Sequence, residues 1–333
     1  MVRHTGLYEK IISPENLSRA YDKARKGKTW QRKIKLADKH REENLAKLHE
    51  VLKREEYHTS KYRNKMVYEP KKRQIWILPF YPDRVVHHAI ANVLMPIWTS
   101  TFIQDTYSCI EGRGQHKGSR RCMEFVQKYP YVLQCDVSKF YPSIDHEILD
   151  KILRRKIKDE RLMNLLNEII QSAPGCPIGN YLSQPFGNLY LNELDHIIKQ
   201  KYRIHGYIRY CDDFLLFGTK EELNRMKPVI KAWIEGHKLR LSKMNLYPTR
   251  CGVDFLGYRH FPNGKLLVRK RTAKRMRRRV KKILPKLKAG RISKDTARSM
   301  LASVNGWLCH AQSHHLRQAM DMDKLVEAVE AYA

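Results

Sequence analysis

Asp212 and Asp213 stand side by side between two apolar runs, Tyr207-Ile208-Arg209-Tyr210-Cys211 and Phe214-Leu215-Leu216-Phe217. The pattern reads as two short strands around a polar turn. Tight hairpin turns favour Asn-Gly or Asp-Gly, where glycine supplies a positive φ; this turn carries two negative charges and no glycine. Like charges this close raise each other's pKa and oppose folding. A divalent cation reverses the sign of that cost. Asp136 closes another buried run, Tyr131-Val132-Leu133-Gln134-Cys135. If these strands lie side by side, three carboxylates converge on one spot. Hard oxygen ligands of this kind suit Mg²⁺, with Mn²⁺ able to substitute. Two such ions, about 4 Å apart, can activate an attacking hydroxyl and stabilise the leaving oxygen of a phosphoryl transfer. The bland alternative is a solvated Asp-Asp loop and an Asp136 helix cap. The apolar flanks of both sites weigh against it.

The elements that must position these residues alternate between helix and strand. Residues 14 to 56 carry helical periodicity, with Ser13 or Asn16 as the cap. Tyr62, Met66, Val67, Tyr68, Ile75, Trp76 and Ile77 form two β-type runs around Glu69-Pro70-Lys71-Lys72, a hairpin. A helix follows Pro82, and residues 119 to 128 read as another. After the strand at 131 to 136, helical character returns at 146 to 172 and at about 182 to 200, and again at 221 to 236. Residues 253 to 269 give two strands around Pro262-Asn263-Gly264, and everything from Arg271 onward reads as helix. This mixture predicts an α+β domain followed by a helical module.

Charge points to the partner. The 333 residues hold 65 Lys and Arg against 34 Asp and Glu, a net charge of +31. A charge of that size opposes compaction unless a polyanion neutralises it. Nucleic acid is the first candidate and an anionic membrane the second. No apolar run approaches the roughly 20 residues of a spanning helix, and the N-terminal stretch lacks the apolar core of a signal peptide. Seven dispersed cysteines without a CxxC pair suit reduced thiols in a cytoplasm. From Phe255 to Lys294 there is no Asp or Glu, while Lys270, Arg271, Lys274, Arg275 and Arg278 are among many bases threaded by apolar residues. Such a run is structured and built to meet phosphates. Cys309, His310, His314 and His315 lack zinc-finger spacing and read as packing.

Taken together, the motifs resemble the reverse transcriptase family over nearly the whole chain, from about Tyr57. Cys135-Asp136-Val137-Ser138-Lys139-Phe140-Tyr141, Gly175 to Asn188, Tyr210-Cys211-Asp212-Asp213 and Phe255-Leu256-Gly257-Tyr258 follow the order of its palm motifs A, B, C and E. The resemblance implies a right-hand polymerase: an N-terminal helical extension at 1–56, fingers at 57–128, palm at 129–258 with fingers-associated helices at about 146–172, and a basic helical thumb at 259–333. It implies that Asp136 and Asp212 hold two Mg²⁺ ions, with Asp213 less direct and the Val137 carbonyl completing one shell. Tyr141 falls at the steric gate that excludes a 2′-hydroxyl, and Phe140, Ile178, Gly179 and Gln184 stand with it among the implied nucleotide contacts. Arg73 would grip the incoming triphosphate, helped by Lys65 or Lys71, and Lys243 is a candidate acid for the pyrophosphate leaving group. Read without the family, Tyr141 is a core aromatic and the hairpin bases are a solvated face.

Motif B departs from the common Pro-Gln-Gly wording. It reads Pro177-Ile178-Gly179, then Ser183-Gln184, which resembles reverse transcriptases of diversity-generating retroelements. That group implies error-prone copying at template adenines, deoxynucleoside triphosphate substrates, a template RNA, a cDNA/RNA duplex and a small helical accessory protein. A glutamine at position 178 could hydrogen-bond to the sugar or base pair, whereas isoleucine offers only shape; losing such a contact costs discrimination of about 1–3 kcal/mol. The alternatives are a group II intron-like or retron-type enzyme without adenine mutagenesis, and a non-catalytic RNA-binding protein with a decayed palm. The presence of all three carboxylates argues against decay.

Overall fold

The computed structural model describes residues 4–68 and 72–332. Lys71, expected in the hairpin, lies outside the described residues. Four helices open the chain: α1 (Leu7–Ile12), α2 (Pro14–Arg25), α3 (Arg32–Lys39) and α4 (Arg41–Lys53). The single helical stretch expected from 14 to 56 is therefore divided. Ser13 caps α2 by accepting from the Asn16 amide, and Pro14 occupies the first turn, where no backbone donor is needed. Asn16 is buried and donates to the carbonyls of Ile11 and Ala89. It thereby pins α2 to α5 (Val85–Thr99).

The antiparallel hairpin β1 (Arg63–Val67) and β2 (Arg73–Ile77) precedes α5, and α6 (Gln115–Lys128) follows it. Next come β3 (Tyr131–Val137), α7 (His146–Arg154), α8 (Glu160–Gln171), α9 (Ser183–His196), β4 (Gly206–Tyr210), β5 (Asp213–Gly218), α10 (Lys220–Gly236) and β6 (Leu241–Pro248). The central sheet is antiparallel in the order β4-β5-β3-β6. Strand alternation divides its residues between two cores. Leu133, Cys135, Phe214 and Leu216 join the main core with α1–α5 and α7–α10. Val132, Ile208, Leu215 and Phe217 face the other way, onto Cys122, Phe125 and Val126 of α6.

Two expectations need correction. Strand β6 was not foreseen, and residues 253 to 269 form three strands: β7 (Val253–Phe255), β8 (Tyr258–His260) and β9 (Leu266–Val268). Two short strands at 253–260, joined through Leu256 and Gly257 at positive φ, were too brief to show as separate runs.

The basic C-terminal region folds as α11 (Lys270–Val280), α12 (Ile283–Lys288), α13 (Lys294–Leu308), α14 (His314–Gln318) and α15 (Met322–Glu330) around its own core of Met276, Val280, Ile283, Leu301 and Val304. It docks through Trp307. A Cβ on Gly257 (φ +84°) would lie 2.5 Å from that ring, so only glycine admits the contact. Among the described residues no helix is long and apolar enough to cross a membrane.

Candidate active site

The sheet register brings the carboxylates together. Tyr210, Asp213, Asp136 and Lys243 are successive cross-strand partners on β4, β5, β3 and β6. Directly opposed residues share a sheet face, so their side chains form one row. Asp212 sits in the two-residue turn between β4 and β5, and its carbonyl accepts the Val137 amide at 3.3 Å. Cys211 opens that turn at φ 55°, a left-handed conformation usually left to glycine.

Burial and charge act unequally on the row. Burial first, then the charges of Asp136 and Asp212, push the Asp213 carboxyl up to about 7. Its Oδ1 is buried with no hydrogen-bond partner. Asp136 accepts from the Ser242 hydroxyl. Lys243 donates at 2.6 Å to the Oε1 of buried Gln134, one row deeper, and opposes the rise at Asp213 as a counter-charge. Tyr247 shares that acceptor at 3.1 Å, and Gln134 donates in turn to the Asp254 carbonyl at 3.1 Å on β7. The Lys243 ammonium is thus engaged inside the sheet.

Among the described residues no three His, Cys, Asp or Glu side chains form a ready-made ion cage. The donor set nevertheless fits Mg²⁺, which binds through one or two carboxylates and completes its shell with substrate phosphates and water. The unpartnered Asp213 oxygen and its raised pKa both mark a spot where added positive charge is favourable.

Around the row, motifs A and B pack through glycine. Tyr141 is half-buried, and its hydroxyl donates to the Cys211 sulfur at 3.6 Å. A Cβ on Gly187 in α9 would lie 3.0 Å from the Tyr141 ring and 2.9 Å from Phe140. Phe140, expected among the nucleotide contacts, is only 2% exposed; it supports Tyr141 from the core and has no surface left to offer a substrate. The motif B loop is clasped by the hairpin. The Trp76 amide donates to the Ile178 carbonyl at 2.8 Å, and Arg84 donates to the Gly179 carbonyl at 2.6 Å. Gly179 has φ +116°, and a Cβ there would fall 2.2 Å from the Trp76 carbonyl oxygen. Ile178 is half-buried. Gln184 is exposed and accepts the Cys109 thiol at 2.7 Å.

Sequence reasoning missed Arg209. Its side chain is fully buried and paired with Asp195 of α9 at 2.6 Å; it also donates to the Asn188 amide oxygen and to the Cys211 carbonyl, both at 3.1 Å. One guanidinium thus braces the β4–β5 turn against the motif B helix. An arginine inside an otherwise apolar strand was the available signal.

Of the expected basic residues, Lys65 is exposed on β1 opposite Ile75. Arg73 is exposed on β2 and lines a cleft of about 1070 Å³ with Arg271, Lys274, Arg275 and Arg278 of α11. Trp307 and Met300 also line it, and among the described residues no acidic side chain does. Lys270 is exposed at the start of α11 and is not part of that lining.

An antiparallel sheet with carboxylates at the end of one strand and in the adjoining hairpin turn, in a chain that also carries a basic cleft, defines a right-hand polymerase of the reverse transcriptase fold. Residues 62–260 match the family model described as reverse transcriptase (RNA-dependent DNA polymerase). The chain belongs to that family. It is 28% identical to Protein YkfC of Escherichia coli K12 over 59% of this chain and 63% of that protein. It is 24% identical to the group II intron-encoded protein LtrA of Lactococcus lactis subsp. cremoris over 76% of this chain and 56% of that protein. The chain therefore spans less than two thirds of each relative's length. A telomerase structure from Candida albicans with a fragment of telomeric RNA aligns at a TM-score of 0.46 and 11% identity, covering 80% of this chain and 56% of that one.

Proposed function

We propose that this chain is an RNA-directed DNA polymerase that copies a template RNA into cDNA from deoxynucleoside triphosphates. The supporting observation is the cross-strand pairing of Asp136 with Asp213 beside the Asp212 turn. Asp136 and Asp212 would hold two Mg²⁺ ions, with Asp213 less directly involved and the Val137 carbonyl completing one shell. The ions supply a lowered pKa for the primer 3′-hydroxyl and stabilisation of the pyrophosphate oxygen as it leaves the α-phosphate. Tyr141 excludes a 2′-hydroxyl from the sugar pocket. Arg73, helped by Lys65 or Lys71, binds the triphosphate through charge-assisted hydrogen bonds. Residues 57–128 act as fingers, 129–258 as palm and 259–333 as a thumb whose α11 bases hold the template–product duplex. In primer extension on an RNA template, Asp212→Asn should lower the rate by about a thousandfold or more. Undiminished extension by that variant would overturn the assignment.

Two narrower readings diverge at motif B. Similarity to an intron-encoded protein favours an ordinary group II intron-like enzyme, or a retron-type one. The Ile178 and Gln184 wording favours the mutagenic enzyme of a diversity-generating retroelement, working with a small helical accessory protein. The apolar Ile178 side chain sits in a loop whose carbonyl is held by Trp76, so shape alone would check the base pair there. Sequencing the cDNA decides between them. Errors concentrated at template adenines, and reduced in Ile178→Gln, support the mutagenic reading; an even error spectrum supports the intron-like one.

A further inference from the structure

Two thiols flank the Ser108 hydroxyl beside the β4–β5 turn, and the polymerase reading uses neither. Residues 105–107 run parallel to the edge of β4. The Arg209 amide donates to the Asp105 carbonyl at 2.9 Å, and the Tyr107 amide donates to the Arg209 carbonyl at 3.0 Å. Beyond the bridge between Thr106 and Arg209 each segment carries a cysteine: Cys109 three residues on along one, Cys211 two residues on along the other. Asn188 holds the connecting Ser108 carbonyl at 2.8 Å, so the segment is strapped beside the turn. The Ser108 hydroxyl lies 2.7 Å from the Cys211 sulfur and 3.4 Å from that of Cys109. Both cysteines have φ 55°. L-residues seldom occupy that region, and such outliers concentrate where function constrains the chain. Cys109 is exposed, whereas Cys211 is half-buried.

We propose that Cys109 and Cys211 form an oxidation-sensitive dithiol that closes to a disulfide when the protein meets a hydroperoxide. The exposed Cys109 sulfur, as thiolate, attacks the peroxide; the O–O bond breaks, Cys109 becomes a sulfenic acid, and the released oxyanion takes up the thiol's proton. The Cys211 sulfur then displaces the sulfenic hydroxyl, which leaves as water with the Cys211 proton. The two thiols lose two electrons and the peroxide oxygens gain them. The new bond draws Cys109 away from Gln184, its present partner, and ties the loop to the residue preceding Asp212. Thiol–disulfide pairs in reducing compartments are typically transient and regulatory, and reduction would reopen this one.

The test treats the full chain with hydrogen peroxide, blocks remaining thiols with an alkylating reagent, and maps peptides by mass. The expected product is a cross-linked peptide pair containing Cys109 and Cys211, removed by dithiothreitol. Primer extension, whose use rests on the polymerase reading, should fall by about tenfold or more and recover on reduction. Each variant is scored as its activity after peroxide divided by its own activity before. Cys109→Ser should form no cross-link and keep a ratio near one; Cys309→Ser should behave like the parent. Sulfenic or sulfinic acids without a cross-link, a cross-link between other cysteines, or equal peroxide sensitivity in Cys109→Ser would overturn the proposal. The cross-link is read by mass alone. Its appearance in a chain that extends no primer would support the dithiol and count against the polymerase reading.

Discussion

Asp213 carries its carboxyl where burial and two neighbouring charges all oppose ionisation. In the metal-free protein it keeps its proton up to about pH 7, whereas an unfolded chain releases it near pH 4. Its contribution to stability is therefore complete below about pH 4 and is lost as the pH rises through about 7. Asp213→Asn removes that loss. With a chelator present, this variant should melt above the parent at pH 8, and the gap should shrink towards pH 5. Mg²⁺ should narrow the gap at pH 8 by stabilising the parent. Equal melting temperatures at pH 8 would show that the carboxyl bears no such burden. The three acids were legible in the sequence because apolar flanks made them improbable as loop residues. Arg209 was not. Its burial depends on Asp195, which lies on α9 in a different part of the chain, and no local pattern pairs them. Phe140 and Tyr141, adjacent and both aromatic, look alike in the sequence; only the fold separates them, burying Phe140 and leaving Tyr141 half-buried with its hydroxyl on Cys211.

At the scale of elements, the hairpin and the motif B loop behave as one body. Gly179 permits this by letting the Trp76 backbone approach without a side chain between them. Gly179→Ala places a methyl group against a carbonyl oxygen at a positive φ, so the cost combines strain and overpacking, about 1–3 kcal/mol or more. A lower melting temperature and a raised KM for deoxynucleotides should appear together. A raised KM without loss of stability would mean that the hairpin and the loop are not joined as described. The helices were readable because their apolar positions recur over many residues and a cap such as Ser13 of α2 is explicit. Strand β6 was not, because the edge segment Leu241–Pro248 has no fully buried residue and alternates Lys243, Asn245 and Tyr247 with Met244 and Leu246. Its place beside β3 follows from long-range pairing, which sequence spacing does not record.

Across the whole molecule, a net charge of +31 is gathered most densely on α11 and its neighbours. Affinity for an RNA/DNA hybrid, measured by fluorescence anisotropy, should fall linearly on a log–log plot against salt. Arg275→Glu with Arg278→Glu should make the slope shallower by about 0.7–0.9 for each phosphate no longer neutralised. A slope unchanged in that double variant would place the duplex elsewhere. The opening helices have a different standing. Tyr8 donates from its hydroxyl to Leu52 on α4 and from its amide to Asp159 at the start of α8, and Leu17, Leu52 and Val85 share one interior. A chimera that grafts the first 56 residues of one homologue onto the remainder of another would therefore inherit mismatched halves of a single hydrophobic interior, and swaps at this boundary will succeed only when the facing surface of α5 and α8 travels with them.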